Sequence, residues 1–265
     1  MTRFTIRIAD TVFQLESRYP SVKEGYADYL TDASPATSFS VTDEELAAAW
    51  QAHRFTQLID CRTGRVYGDE ALRDPALAAD WAKTEDMIRM RDEENLLYRK
   101  VGKALPRYDA FLLHGCAVML DGKGYVFSGR SGVGKSTHVG LWLERFGSRA
   151  EILNGDKPIV ARRNGQWMVY GSPWQGKENL GCCKAAPLRG ICFLQRGEAN
   201  RIAPMAAPAE ALFHAVMQPE DRALQCRFLD LMTDMTQAVP MYRMAVNNFA
   251  PDAAAVSAQA LTGTP

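Results

Sequence analysis

Along the first hundred residues the apolar positions switch between a period of two and a helical period. Phe4 to Ile8 and Val12 to Leu15 alternate apolar with polar and predict a small hairpin. A helix is expected around Ser21 to Tyr29 and a short strand over Ser38 to Val41. Thr42-Asp43-Glu44-Glu45 has the spacing of a capping box and opens a helix to about Trp50. Phe55 to Asp60 reads as another strand. A long helix follows from Asp74 to Ala104, broken by Pro106, with Met87, Ile88, Leu96, Leu97 and Val101 at helical spacing.

The pattern then becomes strand-rich. Phe111 to Leu120 and Gly124 to Phe127 are expected as strands around the turn Asp121-Gly122-Lys123, followed by a helix from Ser136 to Phe146 and a strand from Glu151 to Asn154. Ile159 to Arg162 and Gln166 to Tyr170 flank Arg163-Asn164-Gly165, and Leu188 to Leu194 and Arg201 to Met205 flank Gln195 to Glu198. Helices over Pro208 to Met217 and Asp221 to Ala238 precede a strand from Met241 to Ala245. So many hairpins predict an α+β fold with a mixed, largely antiparallel sheet and flanking helices. The expected division is an α+β lead-in over 1–105, packed on a core over 106–265.

With 47% hydrophobic residues the chain can bury a core, and only its last few residues read as disordered. Thirty-one basic residues balance thirty-one acidic ones, so no charge excess points to nucleic acid or an anionic membrane. No apolar run has the length of a membrane span, and the polar Met1-Thr2-Arg3 start does not resemble a secretory signal, so a cytoplasmic protein is expected. The six cysteines lack metal-finger spacing and read as reduced, mostly buried thiols; the adjacent Cys182-Cys183 is the one pair open to a redox or metal role.

Gly129-Arg130-Ser131-Gly132-Val133-Gly134-Lys135-Ser136 matches the phosphate-binding pattern G-x-x-x-x-G-K-[ST], between a predicted strand and a predicted helix. Glycines let the backbone curl with its N–H groups inward, and the helix terminus adds further N–H groups and its positive dipole end. Gly129, Ser131, Gly132, Val133, Gly134, Lys135, Ser136 and Thr137 are therefore the expected nucleotide-binding residues. Lys135 would reach the β/γ-phosphates and Ser136 would ligate Mg²⁺.

Three further groups flank that loop. His114-Gly115 lies on the preceding expected strand and can approach the phosphates if that strand pairs with Tyr125 to Phe127. Asn154-Gly155-Asp156-Lys157 ends the following strand, where the Asp156 carboxylate can hold a cation or accept a hydroxyl proton. Pro173-Trp174-Gln175-Gly176-Lys177-Glu178-Asn179 is a dense polar connector. Lys177 can neutralise charge on a moving phosphoryl group, and Trp174, Lys177, Glu178 and Asn179 can bind a polar substrate.

The order His114-Gly115, phosphate loop, Asp156 resembles the kinase domain of bacterial HPr kinase/phosphorylase, which shares this arrangement with the ATP-dependent phosphoenolpyruvate carboxykinases. The resemblance spans roughly residues 108–245. It implies a P-loop core on a mixed sheet, ATP with Mg²⁺ or Mn²⁺, Asp156 near the transferred phosphoryl group, His114 supporting it, and homo-oligomers in some members. Arg130, Thr137 and Gly155 depart from that family's residues, and its Glu-x-Arg-Gly-x-Gly signature is replaced by the 173–178 loop and Leu188-Arg189-Gly190-Ile191. The expected function is a kinase transferring the γ-phosphoryl group to a hydroxyl of a small polar molecule such as a polyol or sugar. Alternatives are a protein or peptide serine kinase, carboxykinase chemistry, and a non-catalytic ATP-binding module.

Overall fold

The computed structural model describes residues 1–57, 75–247, 250 and 252–263, which divide into two compact units. Unit 1 comprises residues 1–6 and 12–101, and unit 2 residues 7–11 and 102–265.

Strands β1 (Thr2–Ile8), β2 (Thr11–Ser17) and β3 (Thr37–Phe39) form a three-stranded sheet. The left-handed residues Ala9 and Asp10 make the β1–β2 turn. Phe4 packs on Tyr26 and Phe13 on Phe39 in unit 1. Pro20–Tyr29 is a 3-10 stretch rather than the expected α-helix; Gly25 at its centre disfavours longer helical hydrogen bonding. The capping box forms: Glu45 Oε2 accepts from Thr42 N at 2.9 Å and Thr42 Oγ1 accepts from Glu45 N at 3.2 Å, opening α1 (Asp43–Gln57). Residues 55–57 continue this helix instead of starting the expected strand, whose remainder lies outside the described residues. In α2 (Pro75–Ala104) Leu97 and Val101 are buried as their spacing predicts, but Met87 is exposed.

Unit 2 is built on a nine-stranded mixed sheet. Its strands are β4 (Ala110–Leu112), β5 (Gly115–Leu120), β6 (Lys123–Ser128), β7 (Ala150–Asn154), β8 (Ile159–Arg163), β9 (Gln166–Tyr170), β10 (Ala185–Arg196), β11 (Arg201–Pro204) and β12 (Met241–Val246). The order is β4-β8-β9-β10-β6-β5-β7, with β12 beside the second half of β10 and β11 beside β12. Only β10–β6 and β10–β12 are parallel among the described pairings of this sheet. Sequence neighbours β10 and β11 do not pair as the intervening turn suggested, because β12 inserts between them. The single expected strand from Phe111 to Leu120 is two strands with a break at Leu113 and His114, β4 pairing with β8 and β5 with β6 and β7.

The central strands are apolar at consecutive positions because both faces are covered. Val126 and Ile191 turn to a core shared with Phe228, Leu231 and Met235 of α5 (Arg222–Ala238) and Leu212 of α4 (Ala209–Ala215). Tyr125, Phe127 and Cys192 turn to the other face, onto Val139, Trp142 and Phe146 of α3 (Lys135–Phe146). An unexpected terminal helix, α6 (Ala253–Thr262), packs on that second face. No helix among the described residues is long and apolar enough to cross a membrane. Among the described cysteines Cys116 and Cys192 are buried but Cys183 and Cys226 are exposed, so the expectation of mostly buried thiols fails; Cys183 stands at a surface connector and Cys226 on the outer side of α5.

Candidate functional site

The eight loop residues leave β6 at Ser128 and enter α3 at Lys135. Gly129 has φ 148°, and a Cβ there would stand 2.6 Å from the Leu194 carbonyl oxygen, so only glycine lets the loop pass β10 this closely. Gly134, with φ 99°, is the left-handed residue that starts α3. The N-terminal turn of α3, carrying Lys135, Ser136 and Thr137, directs backbone N–H groups out of the helix. Lys135 Nζ folds back and donates to Gly129 O at 3.1 Å. Burial lowers the pKa of this ammonium, opposed by the nearby Asp156 carboxylate.

His114 occupies the break between β4 and β5. Its N–H donates to Ala215 O at 2.7 Å and its carbonyl accepts from Ser128 Oγ at 2.7 Å, fixing it beside the residue that precedes the loop. His114 Nε2 lies 3.3 Å from Asp156 Oδ1, and Lys157 Nζ donates to Asp156 Oδ2 at 2.7 Å. The backbone under Asp156 is equally fixed. Buried Asn154 accepts through Oδ1 from the N–H groups of Asp156 at 2.9 Å and Lys157 at 2.6 Å. Its amide donates to Ser172 O, 3.0 Å away. Burial opposes ionisation of Asp156, but the hydrogen bonds from His114 and Lys157 outweigh it and hold the carboxyl at about 2.

Cys116 joins this turn to the phosphate loop. Its thiol donates to Gly155 O at 2.8 Å and lies 3.9 Å from Ser136 Oγ, with burial pushing its pKa up to about 11. It is therefore an uncharged spacer between the Ser136 hydroxyl and the Asp156 turn. No cluster of three His, Cys, Asp or Glu side chains suited to a metal occurs among the described residues. One hydroxyl and one carboxylate suit Mg²⁺, which keeps waters and takes phosphate oxygens for its remaining ligands.

The connector expected to bind substrate passes directly over Asp156. Cβ at Gly176, where φ is 77°, would lie 2.8 Å from the Asp156 Cβ. Trp174 is half-buried and its backbone N–H donates to Ser172 Oγ, whereas Lys177, Glu178 and Asn179 are exposed. A cavity of about 1000 Å³ has His114 in its lining. It is lined by Gly129 to Val133, by Phe193 and Arg196 of β10, by His214 of α4 and by Arg243 of β12. None of Trp174, Lys177, Glu178 or Asn179 lines it. Arg196 Nη2 also donates to Gly132 O at 2.8 Å. The cavity arginines and Cys116 carry no local sequence signal, since a strand-end arginine and a core cysteine look alike in any sheet protein.

No family model matches the chain, and no curated protein matches it in sequence. Among solved structures the chain is similar to the HPr(Ser) kinase/phosphatase from Coxiella burnetii, at 10% identity over 56% of this chain and 95% of that one. The TM-score is 0.35, a level at which the likeness carries no functional weight.

Proposed function

We propose that the protein is an ATP-dependent kinase that moves the γ-phosphoryl group to a hydroxyl of a small polar molecule. The observation that carries this reading is the placement of Asp156. The carboxylate touches His114, and Cys116 links its turn to Ser136 of the phosphate loop. Backbone N–H groups of Gly129 to Ser136 and the Lys135 ammonium would hold the phosphates, and Ser136 with Asp156 would hold Mg²⁺ or Mn²⁺, which supplies charge neutralisation at the phosphates. A carboxyl held at about 2 is ionised throughout neutral pH and is a weak base. Its role is therefore to orient the acceptor hydroxyl and take its proton late, as the bond to phosphorus forms. Lys177 would have to swing inward from its exposed position to act on the phosphoryl group.

The test is transfer of label from γ-labelled ATP to a metabolite pool and, in parallel, to lysate proteins. Label on small molecules supports the reading, label on a protein serine replaces the acceptor class, and binding of ATP without any transfer makes the chain a nucleotide-binding module.

A further inference from the structure

We propose that the cavity beside the phosphate loop is the acceptor site and that the acceptor is anionic, an alcohol bearing a carboxylate or phosphate group held by Arg196 and Arg243. This rests on the kinase reading and narrows its substrate. The first support is direction. Lys135, whose amine meets the β/γ-phosphates, folds back to Gly129 O, so the γ end of the nucleotide faces Gly129 and Arg130. Those two residues line the cavity.

The second support is charge. Arg130, Arg196 and Arg243 all line the cavity, and none has a carboxylate partner among the described residues. Arg149, Arg162 and Arg227 of unit 2 are neutralised by Asp121, Asp234 and Asp109. Arg107, Arg189, Arg201 and Arg222 are exposed and likewise lack a carboxylate partner among the described residues, so what sets the cavity apart is that three such arginines line one space. Glu210 is the one carboxylate lining the cavity and pairs with none of the three. Arg196 uses one N–H on Gly132 O and keeps the rest of its planar fork, the donor set that matches a carboxylate or phosphate. A neutral polyol would make no use of the three guanidinium charges, whereas an anion pairs with them. The third support is reach: His114 lines the cavity and its Nε2 lies 3.3 Å from Asp156 Oδ1, so the carboxylate stands one side chain behind the cavity lining.

The reaction balances as ATP plus R–OH giving ADP, the phosphate ester and a proton. The acceptor oxygen bonds to the γ-phosphorus as the bond from that phosphorus to the ADP oxygen breaks, and the hydroxyl proton passes through Asp156 to solvent.

The experiment offers γ-labelled ATP with matched probes: glycerate and glycerol 1-phosphate against glycerol, and glucose 6-phosphate against glucose. Label is expected on an anionic member and not on its neutral counterpart. Arg243→Gln and Arg196→Gln should each raise the KM for that member about tenfold or more, with the ATP Kd of Arg243→Gln within about threefold. Arg196 also braces Gly132 O of the phosphate loop, so its variant is read on the acceptor KM. Both arginines are exposed, so each variant should keep the wild-type melting profile. Calorimetry of glycerol 1-phosphate into protein saturated with a non-hydrolysable ATP analogue reads the anion site without transfer, so a failed kinase reading and a failed anion site are told apart. The proposal is overturned by transfer only to neutral alcohols or only to protein, or by a tenfold loss of ATP affinity in Arg243→Gln, which would give the cavity to the nucleotide. Absence of both anionic labelling and calorimetric binding overturns it as well.

Discussion

In the proposed reaction Lys135 would be the cation that meets phosphate and Asp156 the anion that meets the acceptor. If the kinase reading holds, Lys135→Ala would remove a charge-assisted contact to phosphate that strengthens in the transition state, an expected loss of about 3–5 kcal/mol in transfer. The loop should keep its shape, because Gly129 and Gly134 set its backbone. Turnover within tenfold of wild type would show that another site does the transfer. Asp156→Asn should lower turnover by roughly 10²–10⁴ and leave ATP affinity within about tenfold. A collapse of metal-dependent ATP binding would instead make Asp156 chiefly a cation ligand. The same variant has a signature in stability. Folding lowers the Asp156 carboxyl from its ordinary 3.8 to about 2, so its ionised form contributes stability above 3.8 that disappears as pH falls toward 2. The gap in unfolding free energy between wild type and Asp156→Asn should therefore close across that acid window. A gap that is constant with pH would mean the ion pairs with His114 and Lys157 are not formed.

At the scale of elements, α6 shows how a polar pair can dock a helix. Buried Ser257 Oγ accepts from Trp142 Nε1 at 2.8 Å and lies 2.9 Å from His138 Nε2, joining α6 to the helix that follows the phosphate loop. Ser257→Ala deprives both rings of that partner inside the core, and unfolding free energy should fall by ~1–3 kcal/mol in denaturant titrations. An unchanged midpoint would mean that packing alone seats α6. Features with a local cause were legible in the sequence. The capping box at Thr42 and the turn at Asn164-Gly165, where φ is 50° and 77°, are chemical commitments of two to four residues. The strand and helix flanking Gly129 to Ser136 likewise follow from short-range apolar periodicity. What stayed hidden depends on distant partners. The break at Leu113 and His114 arises because Leu113 N–H donates to Pro158 O, at 3.0 Å, while Gly115 N–H donates to Asp156 O at 2.9 Å. The insertion of β12 beside β10 and the gathering of Arg196 and Arg243 at one cavity have the same non-local origin.

For the molecule as a whole, equal numbers of acidic and basic residues leave no long-range field to gather anions, so attraction for a charged ligand has to be local. Every residue assigned to the proposed chemistry, from His114 to Arg243, belongs to unit 2. Unit 1 has its own buried charge. Glu93 is fully buried and accepts from Ser17 Oγ at 2.5 Å and from Arg18 N at 3.0 Å, and it pairs with the Arg18 guanidinium. Glu93→Gln keeps the volume but leaves Arg18 facing a neutral amide. Because Arg18 is partly exposed and keeps its pair with Asp43, the cost should fall below the ~3–5 kcal/mol of a fully buried pair. The thermal unfolding of the full chain should shift down accordingly. If the chemistry resides in unit 2, the ATP Kd of this variant, measured well below its unfolding transition, should stay within about twofold of wild type, and saturating ATP should still raise the melting temperature. A tenfold loss of affinity in a folded Glu93→Gln protein would mean that unit 1 contributes to nucleotide binding. The acceptor and nucleotide sites would then have to be mapped over the first hundred residues as well.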